Sequence, residues 1–330
     1  MTDTENATHQ VAKAHDAMAF EYDDVCDPWY THLFDSIHRM LIETIQKRKY
    51  VGASNGKALD VGCGTGIQSH LMADAGISVD AFDLSAGLLS VAKAKRNLDV
   101  TWRRESDFGF AMLQWHDRAR TLSPNGARGN LNFFEADALN SSSYAGGPYD
   151  MVVCVGSVLS FVPDPDRVLA EFEKACSQGG VVIIECEMKA NFDLVWPLVD
   201  RMVGGRLGYE QSWSESLRNL FCVGSDDVET IYPFELQDGS LLHLPIRLFS
   251  YRGLQRRLRK AGFRVVKSQA VHCFTNLLPS TTLHKPLGRI GRPFFERLAV
   301  LDRSLGGIWP FRRFGCSSMF LLEPLKKSTN

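Results

Sequence analysis

A chain of 330 residues, 45% apolar and 23% charged, can bury an ordinary globular core, which excludes a wholly disordered protein. Its opening, MTDTENATHQ, has neither the basic nor the apolar segment of a secretory leader, and no stretch approaches the roughly 18 apolar residues of a membrane span, so a cytoplasmic protein is expected. The formal net charge of −1 conceals a split: from Ile246 onward 17 Lys and Arg face three acids (Glu296, Asp302 and Glu323), a balance of +14, against −15 for the first 245 residues. That split invites an anionic partner for the C-terminal part.

In chain order, residues 1–55 read as a helical cap: YTHLFDSIHRMLIETIQKRK sets Leu33, Ile37, Leu41 and Ile45 on one helical stripe. From residue 56 to 187 short apolar runs alternate with helical stretches, the pattern of parallel βαβ units. The expected elements are the strand KALDVG, the helix IQSHLMADAG, the strand SVDAFDLS and the helix AGLLSVAKAKRNL. An insertion, partly helical, reaches to residue 130 before the strand LNFFEAD. The apolar run YDMVVCVGSVLSFV (149–162), the helix PDRVLAEFEKACSQGG and the strand VVIIECE (181–187) follow, rich enough in Val and Ile for central strands.

Residues 188–245 break the alternation with an aromatic helical piece, FDLVWPLVDRMVGG, and a hairpin expected at Asp238-Gly239. Residues 246–330 resume it with the basic helix SYRGLQRRLRKAGF, the strand RVVKSQAVHCF, a basic and aromatic extension (272–313) and a last strand, CSSMFLLEPL. Eight scattered cysteines without a CxxC pair predict neither a disulfide framework nor a metal site.

Chemistry concentrates in LDVGCGTG, residues 59–66. A glycine turn between strand and helix lets a ligand touch backbone where a side chain would collide. Gly62, Gly64 and Gly66 give G-x-G-x-G in place of the G-x-G-x-x-G dinucleotide fingerprint, and no Gly-Lys-Ser/Thr follows as a P-loop requires. Asp60 at the mouth of the strand would repel a pyrophosphate and favour a ligand bearing an ammonium and a sulfonium.

The stretch resembles motif I of the class I S-adenosylmethionine-dependent methyltransferases, and the likeness runs from about residue 15 to 187, then loosely through 250–325. It implies an α/β fold, a doubly wound Rossmann-like sheet, mostly parallel with an antiparallel last strand, carrying an N-terminal helical cap and an inserted lid. It also implies S-adenosylmethionine as co-substrate. Asp60, Gly62, Gly64 and Gly66 would hold the methionine part. Asp83 would take both ribose hydroxyls and Leu84 would lie on the adenine. Asp137 and the Ala138 N–H would read the adenine edge. Cys154 and Ser157 would flank the methyl group, and Tyr22 would approach from the cap.

Methyl transfer from a sulfonium rests on positioning, so no universal catalytic residue is expected. Where deprotonation is needed, Glu187, His243 and His272 are the candidate bases, while His70 reads as a packed or solvated residue. The Asn-Pro-Pro-Tyr of the family's DNA and glutamine enzymes is absent after the fourth strand, so no DNA partner is expected. Aromatics such as Trp29, Tyr30, Phe34 and Trp196 suggest a small or amphiphilic acceptor, a quinol or lipid for example. Arg289, Arg292, Arg297, Arg303, Arg312 and Arg313, mixed with Phe, Ile and Trp, suit contact with an anionic membrane surface. An RNA or protein methyltransferase and a non-catalytic S-adenosylmethionine-binding protein are the alternatives.

Overall fold

The computed structural model describes residues 3–20, 22–23, 27–48, 56–97, 107–123, 126–209, 211–221, 227–235 and 241–325. Two helices open the chain, α1 (Asp3–Met18) and α2 (Pro28–Arg48), and the stripe of Leu33, Ile37, Leu41 and Ile45 is buried. The alternating part follows as β1 (Lys57–Val61), α3 (Ile67–Asp74), β2 (Ser78–Asp83) and α4 (Ala86–Asn97). Then come α5 (Asp107–Arg120), β3 (Leu131–Glu135), β4 (Tyr149–Cys154), the single turn α6 (Val158–Phe161), α7 (Pro165–Ala175) and β5 (Cys176–Glu187). Beyond it lie α8 (Trp196–Met202), α9 (Trp213–Phe221), β6 (Val228–Glu235), β7 (Leu241–Leu248), α10 (Tyr251–Lys260), β8 (Phe263–Val271), α11 (Ser280–Leu283), α12 (Gly291–Leu305) and β9 (Ser317–Pro324).

Seven strands form one sheet in the order β3-β2-β1-β4-β5-β9-β8. The neighbours from β3 through β5 pair parallel, and β9 pairs antiparallel with both β5 and β8. Both faces are covered, and β4 shows how: Met151 and Val153 join the core under α2, α3 and α5, while Val152 and Cys154 join the one under α7 and α10. Alternation along an extended backbone sends neighbours to opposite faces, so a strand buried twice reads as an unbroken apolar run. Strand order reverses between β1 and β4, and ligands of doubly wound sheets enter at such a point, beyond the carboxyl ends.

Two boundaries differ from expectation. The run 149–162 is a strand only to Cys154, because Gly156 (φ 77°) and Ser157 (φ 61°) turn the backbone into the left-handed region. The helix after Pro165 stops at Ala175, and β5 begins at Cys176. The Ser-Gln-Gly-Gly that follows is a poor helix former. It is absorbed in a bulge, since Cys176 pairs with Tyr149 whereas Val181 pairs with Met151. The strands β6 and β7 make a separate antiparallel pair packed on α1 and α6. The Asp238-Gly239 turn lies outside the described residues.

Candidate functional site

A cleft with about 970 Å³ of space between its atoms, open mouth included, lies over the reversal point, where ligands of such sheets bind. Of the expected residues, Tyr22, Gly62, Gly64, Asp83, Leu84, Asp137 and Ala138 line it, joined by His15 of α1 and by Gly156 and Val158 of the turn after β4. Asp60, Gly66, Cys154 and Ser157 stand outside that lining.

The three glycines of the first turn all have positive φ, at 67°, 55° and 77°, yet they serve different ends. A Cβ on Gly62 would strike Val158 at 2.5 Å, and one on Gly66 would press Phe133 at 3.0 Å, so these two are needed for packing. A Cβ on Gly64 would meet nothing nearer than Tyr22 Cε1 at 3.9 Å. Gly64 lines the cleft, so bare backbone faces that space. Asp60 faces away: it is buried, and its Oδ2 accepts from Ser69 Oγ of α3 at 2.5 Å. Burial pushes its carboxyl up to about 7, against the Ser69 bond.

Asp83, ending β2, has an oxygen for each side of the cleft. Oδ2 accepts from Gly64 N at 2.8 Å and Oδ1 from Ser85 N at 2.9 Å. Burial raises its carboxyl above the usual range in spite of these donors. Because a carboxylate offers about four acceptor sites, both oxygens keep capacity for a vicinal diol. Asp137 accepts from Leu139 N through Oδ1 at 2.8 Å in a local turn. Its position beside Ala138 at the cleft wall suits a pairing of one acceptor with one backbone donor, the edge that adenine presents.

The cap is clasped onto this site. Thr65 Oγ1 donates to Asp23 Oδ1 at 2.7 Å, Lys95 Nζ donates to the Thr65 carbonyl at 2.9 Å, and Lys95 also pairs with Asp23. Asp16 of α1 accepts from Ser85 Oγ at 2.5 Å and from Gly87 N at 2.9 Å, closing the first turn of α4. Tyr22 is thereby held across the glycine turn. Burial, with Asp83 and Asp23 beside it, keeps its phenol protonated far above the ordinary value. Neither clasp is visible in local sequence, since Asp16 and Asp23 become partners only once the cap folds over.

Beyond the cleft a second polar group gathers at the end of β5. Glu185, fully buried, accepts from Ser157 N at 2.7 Å and from Ser317 Oγ of β9. Ser157 Oγ donates to Glu187 Oε1 at 2.7 Å, and the Glu187 N–H donates to Ser160 Oγ at 3.0 Å. Burial, then the Glu185 charge, push the Glu187 carboxyl up to about 8. Tyr232 of β6 hydrogen-bonds to Tyr30 of α2, and both phenols feel the Glu187 charge.

The other candidate bases fall elsewhere. His243 is exposed on β7, on the opposite side from the buried Leu244. His272 is buried and stacked on Trp29, its imidazole held well below the ordinary value by burial and by His32. His70 is packed, with Nε2 at 3.0 Å from the Ala92 carbonyl and Nδ1 at 2.6 Å from Arg128. The six cysteines among the described residues are free and buried, as small core residues are.

A family model described as "Methyltransferase domain" matches residues 30–268. A protein of Hydrogenovibrio crunogenus named ubiquinone biosynthesis O-methyltransferase is 26% identical over 166 residues, which are 49% of this chain and 56% of that protein. Its namesake from Methylococcus capsulatus is 32% identical over 126 residues, 38% of this chain and 41% of the other. The chain thus spans about half the length of the curated relatives it matches. A solved structure titled as an S-adenosylmethionine-dependent methyltransferase from Clostridium acetobutylicum aligns over 93% of this chain and 96% of its own, with 13% identity and a TM-score of 0.49.

Proposed function

The chain belongs to the S-adenosylmethionine-dependent methyltransferase family, and we propose that it methylates a hydroxyl on a small or amphiphilic acceptor. The observation that carries this reading is the cleft itself, where Asp83, Asp137 and the bare Gly64 backbone face one space. S-adenosylmethionine would supply a methyl activated by its positive sulfonium, the bond from the acceptor oxygen to that methyl forming in line as the sulfur–methyl bond breaks and neutral S-adenosylhomocysteine is released. In this reading Asp83 binds the ribose diol, Asp137 and the Ala138 N–H bind the adenine edge, and the turn Gly62–Gly64 carries the methionine end. Tyr22, clasped from above, excludes water. Glu187 takes the acceptor proton. Only its ionised form can do so, and the raised pKa makes that carboxylate a stronger base than an ordinary Glu, with activity rising toward pH 8; Ser157 fixes the carboxyl that receives the proton.

The acceptor class rests on two supports. O-methylation in ubiquinone biosynthesis is what the two curated relatives are named for, and a hydroxyl on an apolar, prenylated ring would suit Phe34 and Phe161 of the cleft wall, with Tyr232 edge-on to Phe161 behind it. Such an acceptor resides in a bilayer, and residues 290–309 fit its surface. Ile290 (90% exposed), Phe294 (50%), Leu301 (40%) and Trp309 (63%) face solvent beside Arg289, Arg292 and Arg297. Each basic residue near an anionic surface contributes roughly 1 kcal/mol. No helix among the described residues is long and apolar enough to cross a membrane, so contact would be peripheral.

Calorimetry with S-adenosylmethionine and S-adenosylhomocysteine is the primary test, and failure to bind either refutes the reading. Transfer of labelled methyl into lipid, RNA and protein fractions of a cell extract separates the acceptor classes. Label in the lipid fraction is expected; label confined to RNA or protein would overturn the acceptor. Flotation with anionic vesicles at low salt, reversed at high salt, is expected of the surface.

A further inference from the structure

One buried group lies apart from the cofactor cleft and from Glu187. His32 belongs to α2, His272 follows β8, and Asp302 sits in the last turn of α12, with exposures of 4%, 1% and 1%. One ligand-type atom of each lies within 4.8 Å of the other two. Asp302 is oriented by its own partners: Oδ1 accepts from Phe274 N at 2.6 Å, and Oδ2 from Thr275 Oγ1 at 2.7 Å and from His32 Nε2 at 3.1 Å. His272 Nδ1 is 2.9 Å from the same Thr275 hydroxyl. That hydroxyl gives its single proton to Asp302, so Nδ1 must carry the ring hydrogen and donate to it.

His272 Nε2 is then a buried lone pair that no hydrogen bond of ordinary geometry reaches, since the Trp29 carbonyl beside the ring is a further acceptor and has no proton to give. The ring is fixed by the Trp29 indole at 3.7 Å and 6°. Its backbone is held at φ 56°, a region that costs a non-glycine residue about 1–2 kcal/mol. Hydrogen bonds among these side chains account for Asp302 and for His32, and they leave one imidazole lone pair without a donor. A cation accounts for all three.

We propose that His32, His272 and Asp302 bind one divalent transition-metal ion of zinc type. Two imidazoles and a carboxylate are a donor set such an ion takes, with a fourth position left for water. Thr275 and the Phe274 N–H act from the second layer by aiming the carboxylate. A cleft between α2 and α12, lined by His32, Asp35, Phe295 and Glu296, offers the way in. The ion would staple the N-terminal cap to the C-terminal part, two segments 270 residues apart at His32 and Asp302.

The test uses the full chain, stripped with chelator and desalted. Zn²⁺ titrated by calorimetry should bind one per chain, with a rise in Tm. Co²⁺ should give the visible absorption of a low-symmetry N/O site, and Mg²⁺ should give neither. His272→Gln and His32→Asn, checked for folding by circular dichroism, should each weaken Zn²⁺ by about 100-fold or more, while His243→Ala on the exposed hairpin should not. Absence of stoichiometric Zn²⁺ and of the Co²⁺ bands in the unaltered chain would overturn the proposal, as would unchanged affinity in both ligand variants. Cofactor calorimetry is read separately, so failure of one proposal is distinct from failure of the other.

Discussion

Two turns close the central strands of the sheet, one after β1 and one after β4, and each is held by a carboxylate from the next strand over. Asp83 of β2 accepts from Gly64 N at 2.8 Å, and Glu185 of β5 accepts from Ser157 N at 2.7 Å. The difference lies in what remains. Each carboxylate has both oxygens engaged by the protein, but Asp83 lines the cleft, where its remaining lone pairs are accessible, whereas Glu185 is fully buried outside it. In the proposed reading the same device therefore serves ligand and fold together in the first turn, and the fold alone in the second. Where positive φ is needed the first turn uses glycine throughout, while the second puts Ser157 there at φ 61°, and its hydroxyl reaches Glu187.

The comparison is sharpened most by removing the two carboxylates in turn. Asp83→Ala should weaken S-adenosylhomocysteine by about 100-fold, since bonds to a charged acceptor contribute roughly 1.5–3 kcal/mol each. Chemical denaturation should show a smaller loss of stability. Glu185→Ala should do the reverse. It strands the Ser157 N–H and the Ser317 hydroxyl in a dry interior, at about 1–3 kcal/mol apiece, so stability should fall by about 3 kcal/mol with a lesser change in cofactor affinity. Equal losses of both quantities in both variants would break the distinction between the two turns.

A smaller effect distinguishes the turns by pH. Burial and the Glu185 charge push the Glu187 carboxyl up to about 8 in the folded chain, against an ordinary 4.5. Between those values the folded state holds a proton that the unfolded chain has released, so stability falls as pH rises through the window. Asp60, raised to about 7 by burial, adds a fall of the same sign that ends sooner. Glu187→Gln should therefore flatten the upper part of the profile of denaturation midpoint against pH. A slope unchanged near pH 8 would show that Glu187 is not the group responsible.

How much of this was legible in the sequence follows the same division. The first turn is local: Asp83 lies seventeen residues beyond Gly66, and strand–turn–helix spacing suffices to put both at one mouth. Periodicity also exposed the α2 stripe and the parallel core. Direction is not local, so Asp60, one residue before the end of β1, turns from the mouth to Ser69 of the helix packed behind it. The end of β4 is hidden because Val and Leu continue past it, and residue type does not announce that Ser157 adopts positive φ. Glu185 had a signal, since an acid inside the run VVIIECE must find donors if buried. His32, His272 and Asp302 have none, because no spacing rule joins residues from three separate elements.

The smallest expected change is Ser157→Gly. Relief of the positive φ favours the variant by about 1 kcal/mol, and loss of the bond to Glu187 opposes it by a similar amount. The Ser157 N–H still reaches Glu185, so the fold should shift by less than about 1 kcal/mol. What should move is chemistry: without the hydroxyl to fix it, the Glu187 carboxyl is no longer held for proton transfer, and turnover should fall while cofactor affinity stays. Stability close to unchanged with turnover reduced would show that Ser157 is kept for Glu187, in a conformation that glycine would adopt with less strain. Turnover unchanged would place the strain in service of the turn alone, and would take from Glu187 the support on which its role as base depends.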